Sequence, residues 1–208
     1  MIKLKPTYYL LAVIIGLCSC QSGYMHKEEL EAYVSDADHE VTKEREYKGY
    51  KVQVTYKPSD LLILQENNDS EQLDSSSYSR LYQKYHNYYY FILELSRGDK
   101  EVLMQHATSP EYTELVQTLS FRMGQYVNLT TSERDTIPVG DYTFPRTFGM
   151  GSSNALMFAF SKADVEQDEW LKFNLQEFGL GLGIQSFRFD IEKLESTPRI
   201  EFKITDRS

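Results

Sequence analysis

Two cysteines, four histidines and 31 acidic residues are the side chains of this 208-residue chain with the most chemical scope. His26, His39, His86 and His106 are scattered, without an H-x-x-x-H pair or a Cys/His cluster. Neither a metal nor a cofactor is expected. Asp36, Asp38, His39 and Glu40 form an acidic knot that lacks the glycine and spacing of a calcium loop, so a solvated charge run is expected. Gly179, Gly181 and Gly183 alternate with leucines, a superficial likeness to glycine-rich phosphate-cradling loops. Such a loop must lead into a helix whose N-terminus holds the phosphate. Here the following segment, 184–190, has strand composition, and a glycine-rich connection or bulge is expected. Gly149-Met150-Gly151-Ser152-Ser153-Asn154 offers two serines, but not as G-x-S-x-G and with no helix following to form a nucleophile elbow. It reads as a turn between strands. A carboxylate pair for glycoside hydrolysis is defined in space, not in sequence, so catalytic residues stay unassigned.

The most unusual cluster is aromatic: Tyr78, Tyr82, Tyr85, Tyr88, Tyr89 and Tyr90. Tyrosine combines a flat apolar face with a hydroxyl, which suits stacking on sugars or partner proteins. Tyr78, Tyr82 and Tyr85 therefore form a candidate contact surface. The plainer expectation is a helix face and a strand packed on the core, with hydroxyls at its edge. Sugar-binding surfaces lean on tryptophan too, and Trp170 is the only one in the chain.

Both cysteines lie near the start. Lys3 and Lys5 precede a ten-residue apolar run, Tyr8 to Leu17. Crossing a bilayer takes about 20 apolar residues, whereas a short run after a basic leader has the size of a signal-peptide core. The run ends in Leu17-Cys18-Ser19-Cys20. This resembles the lipobox of bacterial lipoproteins: an aliphatic residue, two small ones, then the lipid-accepting cysteine. Cys20 fits, with Ser19 before it and Leu17 three residues before. Cys18 does not, because Leu17 precedes it directly. The resemblance covers about the first 20 residues. It implies diacylglycerol on the Cys20 thiol, loss of residues 1–19 as a signal peptide, and a membrane partner held through the N-terminal lipid. Two or three acyl chains anchor stably where one holds only marginally. Gln21, in place of Asp after the cysteine, implies the outer membrane, with the periplasmic and outer faces both open. Lys27-Glu28-Glu29 is similar to the export tags of Bacteroidota surface lipoproteins, though further from the cysteine. Asp135-Thr136-Ile137 matches the three-residue O-glycosylation motif of that phylum. Together these resemble a Bacteroidota envelope lipoprotein, which implies an address and not an activity.

Without the leader, 20 basic residues face 31 acidic ones, a net charge of about −11. That excludes nucleic acid as an expected partner, since binding it rests on Lys and Arg. The domain beyond Cys20 has no cysteine, so its stability must come from a core built with the chain's 11 Phe and 16 Tyr. Residues 20–40 are polar and acidic and read as a tether with at most a short helix. Residues 41–208 read as one β-rich domain. Within it, 42–57 predicts a hairpin turning at Lys48-Gly49, and Pro58 stops the second strand. A short helix follows at 60–65, an exposed loop at 66–77, and a helix at 78–87 from the spacing of Tyr78, Leu81, Tyr82 and Tyr85. Then come a strand at 88–96, its return at 101–105 and a helix at 110–120. Strands are expected at 125–130, 136–144, 154–160, 170–177, 184–190 and 199–204. The predicted fold class is mainly β (α+β): an antiparallel β-sandwich or curved sheet with two or three short helices. Its core should hold Leu156, Phe158, Phe160, Leu171, Phe173, Leu175, Phe187, Phe189, Ile200, Phe202 and Ile204. The expected function is a lipid-anchored, non-catalytic interaction or accessory module for envelope proteins or glycans. The alternative is a glycan-directed hydrolase.

Overall fold

The computed structural model describes residues 23–165 and 168–205; Cys20 and the leader lie outside the described residues. The described residues are folded from Gly23. β1 (Tyr24–Met25) leads into α1 (Lys27–Ser35). Leu30 and Val34, four residues apart on one helix face, are buried. The His26 N–H donates to Glu29 Oε2 at 3.0 Å, closing the first turn, and the Thr42 hydroxyl donates to the Val34 carbonyl at 2.7 Å. The tether expected through residue 40 is corrected accordingly: a stripe of three apolar residues, Leu30, Tyr33 and Val34, is enough to dock a nine-residue helix.

β2 (Thr42–Tyr47) and β3 (Tyr50–Lys57) form the expected hairpin. Lys48 and Gly49 both have positive φ, 52° and 77°, which matches the turn to the twist of its strands. α2 (Ser59–Glu66), β4 (Gln72–Asp74) and α3 (Ser75–Tyr85) follow. Asp74 caps α3 by accepting from the Ser77 N–H at 3.0 Å, so the helix starts inside the predicted loop. β5 (Tyr88–Ser96) matches its predicted span. The return strand at 101–105 is instead a helical turn, α4 (Val102–Gln105). Only Glu101 bridges back to Ser96, and the Leu103 N–H donates to Asn154 Oδ1 at 2.9 Å instead of to a neighbouring strand.

α5 (Tyr112–Gln117) runs on through a π turn (Thr118–Arg122) and a 3-10 turn (Met123–Gln125) into β6 (Val127–Thr131). The predicted strand 136–144 is two strands, β7 (Thr136–Pro138) and β8 (Asp141–Thr143). Each joins a different sheet, and the crossing point is Gly140, whose N–H donates to the Ala159 carbonyl at 2.9 Å. The chain ends with β9 (Asn154–Ser161), β10 (Trp170–Leu175), β11 (Gln185–Asp190), α6 (Ile191–Glu195), β12 (Arg199–Ile200) and β13 (Lys203–Thr205).

Two antiparallel sheets result, a five-stranded one ordered β2-β3-β5-β9-β8 and a four-stranded one ordered β11-β10-β6-β7. Two parallel pairs, β1 with β12 and β4 with β13, tie the termini in. The sheets face each other through rings. Phe91 of β5 lies 5.8 Å from Phe173 and 5.0 Å from Phe189, centroid to centroid, and Phe158 of β9 lies 5.9 Å from Phe173. The fold is an α+β sandwich of open antiparallel sheets, with six helices among the described residues instead of two or three. Most of the predicted core is buried. The exceptions are at the C-terminus, where 199–204 is not one strand: Ile200 is buried, Phe202 half-buried and Ile204 43% exposed.

Candidate functional site

The two sheets leave the long β5 with two opposite ends, and each end carries a site. Beyond Ser96 sits a loop, residues 145–153, that is pinned by one carboxylate. Glu101, 2% exposed, accepts from Thr147 Oγ1 at 2.6 Å, from the N–H groups of Gly149 and Gly151 at 2.9 and 3.0 Å, and from Asn154 Nδ2 at 3.2 Å. Burial opposes the charge, but these four donors outweigh it and hold Glu101 below the usual carboxylate range. The loop so fixed presents Phe148 (67% exposed) and Met150 (87%), beside Met104 (46%). Phe148 has φ 52°, a left-handed conformation that costs a bulky residue on the order of 1–2 kcal/mol and persists only where its surroundings enforce it. Arg146 lies over the Phe148 ring at 4.6 Å and donates to the Tyr112 hydroxyl at 3.1 Å. A mainly apolar cavity of about 200 Å³ opens beside them, between Leu103, Met104, Tyr112 and Phe148.

Glu101 ties this tip to pH. Its folded pKa lies below its unfolded one, so its contribution is complete above the unfolded value and fades as pH falls through the folded value. Acidification below about pH 4 should therefore loosen the loop. At neutral pH, Glu101→Ala should raise hydrogen exchange at Gly149 and Gly151 about 10- to 100-fold, from loss of contacts worth about 1.5–3 kcal/mol. Unchanged protection of those amides would refute the pinning.

At the other end of β5 lies a polar cleft, also about 200 Å³, lined by Tyr56, Asp60, His86, Lys162, Glu195 and Arg199 among others. Asp60 accepts from Arg199 Nε and Nη2, both at 3.3 Å, and from the Ile200 N–H at 2.9 Å. Glu195 accepts from the Tyr89 hydroxyl at 2.8 Å and from Lys162 Nζ at 3.1 Å. Despite partial burial, Tyr89 and Lys162 hold Glu195 below its ordinary pKa. Burial and then the nearby Lys162 and Arg199 push His86 down, so it is neutral at pH 7. A glycosidase needs one carboxyl kept protonated as general acid; Glu195 is displaced the other way. The charges pair off, which suits joining α2, α6 and β12 better than it suits proton transfer.

The predicted tyrosines border this cleft as packing residues. Tyr82 stacks on His86 at 4.3 Å and lies under Arg199, while Tyr78 packs on Phe202 at 5.5 Å. The Tyr85 hydroxyl donates to Glu66, and its ring meets Tyr90 edge-on at 6.0 Å. All three flank the small core of Ile63, Leu73 and Leu81 and are half-buried, so Tyr78, Tyr82 and Tyr85 each pack one part of the ring inward and leave the rest at the surface.

The glycine-rich loop cradles an anion, and that anion is its own. Glu177 accepts from the N–H groups of Gly179 and Gly181, both at 2.8 Å, and of Gly183 at 2.6 Å. Positive φ at all three glycines aims those N–H groups inward, and Leu180 and Leu182 between them are buried. The loop is thus a structural connection between β10 and β11. Among the described residues, no group of three or more His, Cys, Asp or Glu is placed to hold a metal, and no helix is long and apolar enough to cross a membrane. Ser153, one of the two serines considered as a nucleophile, donates to Glu94 at 2.8 Å.

Sequence reasoning missed Glu101, Asp60 and Glu195. Glu101 reads as the first residue of the return strand 101–105 and Asp60 as a first-turn helix acid. Their partners are 33 to 140 residues away, so no local spacing could reveal them.

Neither a family model nor a curated protein matches the chain. It is similar to a solved structure described as a novel protein of unknown function from Burkholderia pseudomallei K96243. The match covers 82% of this chain and 89% of that one, at 10% identity and a TM-score of 0.39.

Proposed function

We propose that the protein is a lipid-anchored accessory module of the outer membrane, non-catalytic, that docks another envelope protein on the tip formed by Phe148, Met150 and Met104. The observation that carries this reading is the rigid exposure of Phe148: a strained, solvent-facing aromatic held in place by a buried carboxylate beneath it. Exposed apolar clusters of this kind mark interaction sites. Phe, Tyr, Met and Arg are enriched where proteins meet, and all four types gather here. A preformed loop also avoids the ordering entropy that a mobile one would lose on binding. The anchor rests on Leu17-Cys18-Ser19-Cys20.

Two arms test the reading. A photo-crosslinking residue at Met150 should yield a discrete adduct in envelopes, and Phe148→Ala should weaken that partner by about 2 kcal/mol, roughly 30-fold. No adduct from Met150, while a probe elsewhere on the surface gives one, would contradict the tip. Cys20→Ala should abolish incorporation of a palmitate analogue while Cys18→Ala should not. Labelling that survives Cys20→Ala removes the anchor.

A further inference from the structure

We infer that the domain sits directly on the bilayer, with the edge around Tyr24, Glu201 and Ile204 in the headgroup layer and the Phe148–Met150 tip pointing away from it. This rests on acylation of Cys20. Only three residue steps separate Cys20 from Gly23, whose carbonyl already accepts from the Arg199 N–H at 2.9 Å. Fully extended chain gains at most about 3.6 Å per residue, so the lipidated residue lies within about 11 Å of the folded body. A flexible tether of twenty residues would instead span about 25 Å on average. It is the docking of β1 and α1 that shortens the leash.

The leash also selects which end faces the lipid. Gly23 is held by Arg199, which pairs with Asp60 two residues beyond Pro58, at the end of β3 that lies beside Tyr90. Glu101 and the loop it pins lie past Ser96, at the other end of β5. Eight strand steps of about 3.3 Å put the two ends about 26 Å apart. The near edge has the chemistry of an interfacial belt. Tyr24 and Ile204 are exposed there, flanked by Lys27 and Lys203. Lys27 pairs with Asp69 at 2.8 Å, and His26 meets Glu71 at 3.0 Å, so the edge carries both signs. On an acylated chain of net charge about −11 once Lys3 and Lys5 have left with the leader, the leash and not electrostatic attraction sets the orientation.

The test uses the mature acylated protein, without residues 1–19, in vesicles of phosphatidylethanolamine and phosphatidylglycerol that contain a headgroup nitroxide lipid. The described residues contain no cysteine, so Glu201→Cys and Lys100→Cys each offer a single thiol for a fluorophore. Quenching should be several-fold stronger at position 201 than at 100, insensitive to added salt, and equalised by twenty Gly/Ser residues inserted between Ser22 and Gly23. Equal quenching at both positions, in protein that carries the acyl label and floats with the vesicles, overturns the seating and leaves the anchor standing. Protein without the label that fails to float overturns the anchor, and the seating with it.

Discussion

Phe173→Ala should destabilise the domain by about 3–5 kcal/mol, a large share of the roughly 5–15 kcal/mol that holds a typical domain folded. Phe173 is fully buried on β10, where the two sheets meet. Its ring lies 5.8, 5.9 and 6.2 Å from Phe91, Phe158 and Phe160, the last two nearly perpendicular to it. Edge-to-face pairs of this kind add about 0.5–1.5 kcal/mol each beyond buried area. Truncation removes those contacts, and it leaves a void that β-sheets on both sides can close only in part. At about 2–4 °C per kcal/mol for a domain of this size, the melting temperature should fall by roughly 6–20 °C. Lys172→Ala, on the opposite face of the same strand, should stay within about 0.5 kcal/mol of wild type. Thermal melts of the soluble domain decide it: similar midpoints for the two variants would show that the sheets are not joined through this ring.

Leu30→Ala should cost about 2–5 kcal/mol, although it lies only ten residues beyond Cys20. Leu30 is fully buried and Val34 nearly so, and both belong to the main core cluster together with Val41, Leu61 and Leu64. Deleting residues 24–37 removes both side chains, the pairing of β1 with β12, and the carbonyl that receives the Thr42 hydroxyl. That deletion should prevent soluble expression, whereas Glu28→Ala, at an exposed position of the same helix, should be silent. Denaturant titration of Leu30→Ala supplies the measurement. A wild-type midpoint would return α1 to the status of a tether, and the short leash would go with it.

Local chemistry carried much of the architecture. The alternation of Tyr50, Val52, Val54 and Tyr56, the Lys48-Gly49 turn and the run 88–96 each specify a strand through neighbours within a few residues. So do the alternating sets of β9, β10 and β11. Side chains two apart share a face whatever the strand packs against, so the α+β sandwich and its aromatic core were legible without coordinates. What the sequence left open depends on contacts between distant segments. The stripe of α1 is too thin to declare burial, and only the groove beside β3 and α2 makes it a core helix. Val102 and Leu103 read as a strand until Asn154, 51 residues beyond Leu103, takes the Leu103 N–H. The glycine-rich loop could be seen as an anion cradle, but that Glu177 fills it is a matter of how the chain turns back on itself. Nothing near Glu101 in sequence names Thr147, Gly149 or Gly151 as its donors. Periodicity reports the face a residue shares with its neighbours along one element. Which carboxylate pins which loop, and which end of β5 lies nearest the N-terminus, are set by the packing of elements far apart in the chain, and only the tertiary structure decides them.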